Sequence, residues 1–202
     1  FAVSFAMGVV SGIVLSYQIG ANWSRYAEVV GNTIGPLFGY EVLTAFFLEA
    51  SFLGVMLFGW NRVPPWLHTL AAIIVAFGTA LSGFWILSAN SWMQTPAGFE
   101  VRDGITYPLV WSEIIFNPSF PSRFSHMMIA TYLTTSLVVG AASAWRLFKD
   151  ADEDESCVAL KMAIGMFAIV APLQLLAGDV SGKQLLQVQP AKLAAIEAFW
   201  DT

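Results

Sequence analysis

The chain has 202 residues, 57% of them hydrophobic and 11% charged, with a mean hydropathy of +0.67. Soluble domains carry about 25% charged residues, so the composition excludes a soluble globular fold and predicts an all-α, polytopic transmembrane helix bundle in a lipid bilayer. A formal net charge of −5 without a basic patch excludes nucleic acid as a partner, and the lone Cys157 excludes an internal disulfide or a multi-cysteine metal site.

Phe1 opens directly in an apolar segment without a basic leader region. The chain has no initiator Met and stops at Asp201-Thr202. It is therefore expected to be an internal piece of a longer protein. The first predicted span is residues 1–19, FAVSFAMGVVSGIVLSYQI, just long enough for a hydrocarbon core of about 30 Å. Its small residues suit close helix packing. Residues 20–36 read as a loop in which Trp23 and Tyr26 suit a headgroup belt.

The second span, 37–59, belongs to the stretch LFGYEVLTAFFLEASFLGVMLFGW and carries Glu41 and Glu49. An acid at the centre of a membrane helix costs about 2.5 to 3.5 kcal/mol on the insertion scale. At about 100° and 1.5 Å per residue, an ideal α-helix puts the two carboxylates on one broad face, about 80° apart around the axis and about 12 Å apart along it. One reading is a proton path or a buried cofactor site. Another makes Glu41 an interfacial helix-start charge and leaves only Glu49 buried.

Pro64-Pro65 ends that helix. The third span is predicted at 66–91, with His68 near its interfacial start and Ser82 and Asn90 as polar residues able to bond backbone carbonyls. Residues 92–121 form a long, aromatic-rich loop in which WSEIIFNP is expected as a short helix. The fourth span, 122–148, has His126 one turn inside its start. From the residues alone, His126 is as good an interfacial hydrogen-bonder as a metal ligand. The acidic run 149–157, KDADEDESC, reads as solvated, and 158–177 is the fifth span. Residues 178–202 begin an extramembrane segment. Arg and Lys divide four against five between the two sides, which leaves orientation undecided.

No HExxH, GxGxxG, P-loop or nucleophile elbow is present. Buried glutamates with a buried histidine suit either haem ligation or proton-coupled transport, and on the residues alone these stand level. A non-catalytic membrane scaffold is a third reading.

The strings in order separate them. QIGANWS (18–24), EVLTAFFLEASFLGVMLFGWNR (41–62), LSGFWILSANSWMQTP (81–96), WSEIIFNP (111–118), RFSHMMIATY (123–132) and GDVSGKQLLQVQPAKLAAIEAFW (178–200) resemble subunit I of the cytochrome bd quinol oxidases. The resemblance runs the whole length, from the family's second helix into its quinol-binding loop. It implies a haem-containing respiratory terminal oxidase subunit in the bacterial inner membrane, which oxidises quinol, reduces O2 to water and contributes to a proton motive force. It implies low-spin and high-spin haem b with haem d, or haem b in its place. It implies a second oxidase subunit (subunit II) as partner, with a small single-helix subunit as a further candidate.

Carried over residue by residue, the resemblance makes His126 an axial ligand of the low-spin haem b. It puts Glu41, Glu49 and Ser82 on a proton path at the high-spin haem site, and makes Asn90, with Glu41 and Glu49, cofactor-binding there. Lys192 and Glu197 become quinol-binding residues. On spacing alone that last pair reads as a solvated amphipathic helix. Ala50 departs from the pattern, since some members have Ser there; Ser51 is the substitute at hand. The family's remaining haem ligands lie on helices outside these residues.

Overall fold

A computed structural model describes residues 2–149 and 153–198. The chain divides into two compact units, 1–120 and 121–202. In the first, α1 (Ala2–Ala21) is followed by α2 (Ser24–Glu41), a π-turn (Val42–Phe46) and α3 (Phe47–Phe58). The last three form one continuous helix, Ser24–Phe58, of 35 residues. Then come α4 (Pro65–Trp92), strands β1 (Phe99–Arg102) and β2 (Ile105–Pro108), and α5 (Trp111–Ile115).

The loop expected over 20–36 is mostly helix. Gly31, Gly35 and Pro36 read as breakers, yet α2 runs through all three. Packing overrides their propensity: Thr33, Ile34 and Leu37 are fully or almost fully buried, in a core shared with Ile19, Ala89, Trp92 and Ile114. Pro65 opens α4 at its first turn, where a missing N–H costs nothing.

The long loop is ordered by two devices. Asp103-Gly104, both at positive φ (50° and 78°), closes an antiparallel hairpin in which Arg102 pairs with Ile105 and Phe99 with Pro108. Asp-Gly at such a turn is the strongest short-range hairpin signal. Thr106 ties the hairpin to α2 by donating to the Val29 carbonyl at 2.9 Å, and its hydroxyl lies 3.2 Å from that of Thr33. Second, buried Asn117 donates to Ser91 Oγ at 2.9 Å and to the Ile114 carbonyl at 3.1 Å. Ser88 donates to the Ile115 carbonyl at 2.9 Å. A buried polar cluster paired in this way fixes one loop conformation.

The second unit holds α6 (Phe120–Phe148), α7 (Glu153–Val188) and α8 (Pro190–Glu197). The first two form an antiparallel pair. Ser122 bonds Gln184, and Ser181 donates to the Ser122 carbonyl at 3.4 Å. Further along, a methyl on Gly140 would touch Ala163 at 3.6 Å. Small buried residues line the seam (Ser136, Ser143, Ser156, Ala163), as expected where lipid supplies no hydrophobic drive and backbones must approach closely.

Helix α7 differs from expectation at both ends. It starts inside the acidic run, with Glu153, Asp154 and Glu155 in its first turn, where negative charge favours a helix N-terminus. It passes Pro172 and Gly178 and continues to Val188, eleven residues beyond the expected end of the span at 177. Residues 150–152 of the acidic run and 199–202 of the tail lie outside the described residues. Among the described residues, five helices are long and apolar enough to cross a membrane. The first and fourth predicted spans correspond to Ala2–Ala21 and Phe120–Phe148, and the third to Pro65–Trp92.

Candidate functional site

The acids of the second span face one side of α4. Glu41, the last residue of α2, is half-buried, and its Oε1 accepts the Ser82 hydroxyl at 2.7 Å. Two turns on, Glu49 is 7% exposed. Its Oε1 has no hydrogen-bond partner. The backbone around it lies so close to α4 that a Cβ on Gly78 would come within 2.7 Å of Glu49 Cγ and 3.6 Å of the Ala45 carbonyl oxygen. Gly78 and Ser82 are one turn apart on α4, so both carboxylates address a single stripe of that helix. Ala45, fully buried, sits between them.

Two residues that sequence reasoning passed over hold the π-turn. The Thr44 hydroxyl donates to the Tyr40 carbonyl at 2.6 Å and accepts the Trp85 indole N–H at 2.9 Å. The Tyr40 and Trp85 rings stack at 5.2 Å, 23° from parallel. A signal was present for Gly78: with Ser82 it makes a small-residue pair at i, i+4 in an apolar span. Nothing in the sequence marked Thr44.

Asn90 is half-buried on α4, eight residues and so about 12 Å along the axis from Ser82. Ser51 donates to the Phe47 carbonyl at 2.7 Å and is exposed. His68 lies 2.9 Å from the Met56 carbonyl oxygen, tilted against Trp60.

In the second unit, His126 is half-buried on α6. The Gln174 amide nitrogen is 3.2 Å from each of its ring nitrogens. Gly178, one turn beyond Gln174, faces the ring, and a methyl there would meet His126 Cε1 at 3.6 Å. Lys192 and Glu197 are both exposed on α8. Their five-residue spacing sets them about 140° apart around the axis, so they do not share a face. Pro190 starts that helix and Ala198, at φ 58°, ends it. Among the described residues no three or more His, Cys, Asp or Glu side chains gather as a metal site.

The model of one family, described as cytochrome bd terminal oxidase subunit I, matches residues 1–202. The chain belongs to that family. It is 40% identical to the cytochrome bd-II ubiquinol oxidase subunit 1 of Escherichia coli K12, with all of this chain and 40% of the relative aligned. It is 37% identical to the cytochrome bd ubiquinol oxidase subunit 1 of Bacillus subtilis 168, again over the whole chain and 43% of the relative. The solved bd oxidase of Geobacillus thermodenitrificans superposes with a TM-score of 0.89 at 33% identity, over all of this chain and 46% of that one. The chain thus spans less than half the length of these relatives. With its five apolar helices, this member of the family is a multi-pass, all-α membrane protein.

Proposed function

We propose that this chain carries part of the haem-bearing subunit of a respiratory terminal oxidase, one that oxidises membrane quinol, reduces O2 to water and contributes to the proton motive force. The observation that carries the reading is the carboxylate row. Glu41 accepts from Ser82 at 2.7 Å, and Glu49 is buried with an unpartnered oxygen, inside a chain matched along its whole length by the oxidase family. The proposed setting is a bacterial inner membrane, with a second oxidase subunit, and a small single-helix subunit as a further candidate, covering part of the exposed apolar surface. The family match removes the reason for reading the same carboxylates as a transporter's.

The residues around His126 fit haem. A neutral imidazole is a good iron ligand. Gln174 Oε1 has no partner, and with the amide turned over it would accept an N–H of the ring beside it, as a partner orienting a ligand does. Gly178 leaves the ring edge without a methyl against it. His126 would be an axial ligand of low-spin haem b. High-spin haem b and haem d, or haem b in its place, would belong near Glu41 and Glu49. When bound, these groups supply one-electron transfer between quinol and O2.

The chain's own residues then divide the proton work. Ser82, a hydroxyl that both donates and accepts, hands a proton to or from Glu41. Glu49, with one unpartnered carboxyl oxygen buried against Gly78, holds the next proton. Asn90 supplies polarity farther along α4. Quinol gives up two protons with its two electrons; exposed Glu197 on α8 is the proposed acceptor, taking one proton, passing it to water and then taking the second, with the Lys192 ammonium bonding a quinone oxygen.

A reduced-minus-oxidised absorption spectrum of the full-length protein in membranes tests this reading. Bands of haem b, with or without haem d, are expected, and their complete absence would end the oxidase reading. His126→Ala is expected to remove the low-spin haem b signal; an unchanged spectrum would return His126 to an interfacial hydrogen-bonding role.

A further inference from the structure

An ideal α-helix puts Glu41 and Glu49 on one broad face but not in line. Eight residues at about 100° leave them about 80° apart. The helix between them is not ideal, because Val42–Phe46 form a π-turn and the Phe47 N–H bonds the Val42 carbonyl, five residues back. A π-turn absorbs one extra residue into a turn. The eight residues then advance the helix by roughly seven α-helical steps, about 700°, within about 20° of two full turns. The contacts agree with that phase: Glu41 meets Ser82, and Glu49 meets Gly78, one turn apart on the same stripe of α4.

The π-turn is itself pinned. A threonine hydroxyl bonded back to the carbonyl four residues earlier loosens and bends a helix, and Thr44 does this to Tyr40 at 2.6 Å. Trp85 reaches across from α4, donates its indole N–H to Thr44 Oγ1 at 2.9 Å and stacks on Tyr40. Trp85 is one turn minus one residue beyond Ser82, so one short segment of α4 touches both Glu41 and the turn that sets its phase.

We propose that Thr44 and Trp85 are positioning residues: their hydrogen bond stabilises the π-turn that rotates Glu41 and Glu49 from the two edges of a broad face into line, so that both carboxylates work along one stripe of α4. This rests on the proton-path reading above and adds what aligns the path.

The test uses the full-length oxidase and two variants, the first isosteric and the second smaller but still aromatic. Thr44→Val removes the hydroxyl; Trp85→Phe removes the N–H donor and keeps an aromatic ring on Tyr40. Redox-induced infrared difference spectra report the carboxyl stretching bands, assigned by their loss in Glu41→Gln and Glu49→Gln. Both positioning variants are expected to keep full haem content, to displace those carboxyl bands and to lower turnover on the order of ten-fold. Thr44→Ser, which restores the hydroxyl, is expected to return bands and turnover towards the original. Bands at their original positions in both Thr44→Val and Trp85→Phe would overturn the positioning role, whatever the change in thermal stability. If Glu41→Gln and Glu49→Gln alter neither bands nor turnover, the proton path itself is wrong and the positioning role falls with it.

Discussion

The Ser82 hydroxyl donates to Glu41 Oε1 at 2.7 Å, from the middle of α4 to the last residue of α2. A typical intramolecular hydrogen bond contributes about 0.5 to 1.5 kcal/mol net. Ser82→Ala is expected to lower the thermal midpoint of the full-length protein modestly and its oxidase turnover on the order of a hundred-fold, as for loss of one proton-transfer partner. Haem content, read from the absorption spectrum, is expected to stay the same. Turnover at the original rate would leave Ser82 a helix-packing residue only.

Gly78 and Gly182 make a matched pair of substitutions. A methyl at Gly78 meets Glu49 Cγ at 2.7 Å, whereas one at Gly182 meets nothing within 4 Å. Gly78→Ala is expected to destabilise by about 1 to 3 kcal/mol through overpacking. Gly182→Ala, in the interior of α7, is expected to be neutral or to stabilise by about 0.5 to 1 kcal/mol. Thermal unfolding of the two variants in detergent distinguishes them, and equal midpoints would contradict the close approach of α3 and α4.

The hairpin is expected to depend on its turn and on one anchor. Gly104 has φ of 78°, where any other L-residue is strained by about 1 to 2 kcal/mol. Thr106→Val removes the bonds to Val29 and Thr33. Gly104→Val and Thr106→Val are both expected to speed limited proteolysis at 99–108 while the helices stay intact. Unchanged cleavage would mean that the hairpin is held by something other than its turn and Thr106.

Glu197 is exposed and lies on the opposite side of α8 from Lys192. As the proposed proton acceptor for quinol, it is expected on Glu197→Ala to cost about a hundred-fold or more in turnover, with the haem bands retained. Lys192→Ala is expected to act mainly on the apparent KM for quinol. If both variants turn over normally, the pair is a solvated helix surface and no more.

Hydropathy was enough to read five membrane-crossing helices, because a run of apolar residues has few other meanings. Their ends were harder. Gly31, Gly35 and Pro36 look like a loop until Ile34 and Leu37 are seen buried against α4. GDVSGKQLLQ looks like a tail because it is polar, although it is the last third of α7. The Asp103-Gly104 turn was readable, with Phe99, Val101, Ile105 and Tyr107 alternating on either side, but its few residues were lost in a proline-rich loop. The π-turn was beyond reach: one extra residue in a turn leaves composition and length unchanged and alters only phase. For the same reason the sequence set Glu41 and Glu49 about 80° apart, while the contacts with Gly78 and Ser82 put them in line. Resemblance set Ser82 and Glu41 in one neighbourhood, and a hydrogen bond joins them; Asn90, which it set there too, lies about 12 Å further along α4. The approach of Gln174 to His126 joins residues 48 positions apart in the chain, and no local pattern carries that information.

Helix α7 runs unbroken from Gln174, which touches His126, to Val188, beside the segment that bears Lys192. Fourteen residues of helix make a rod of about 21 Å. Its length is counted in residues, not set by what those residues are. Substitutions along its exposed side leave the two ends where they were. Inserting or removing a single residue slides one end by about 1.5 Å and turns it by about 100°, which swings Lys192 to a different side of the rod. Between these two points the chain tolerates changes of spelling far better than changes of count.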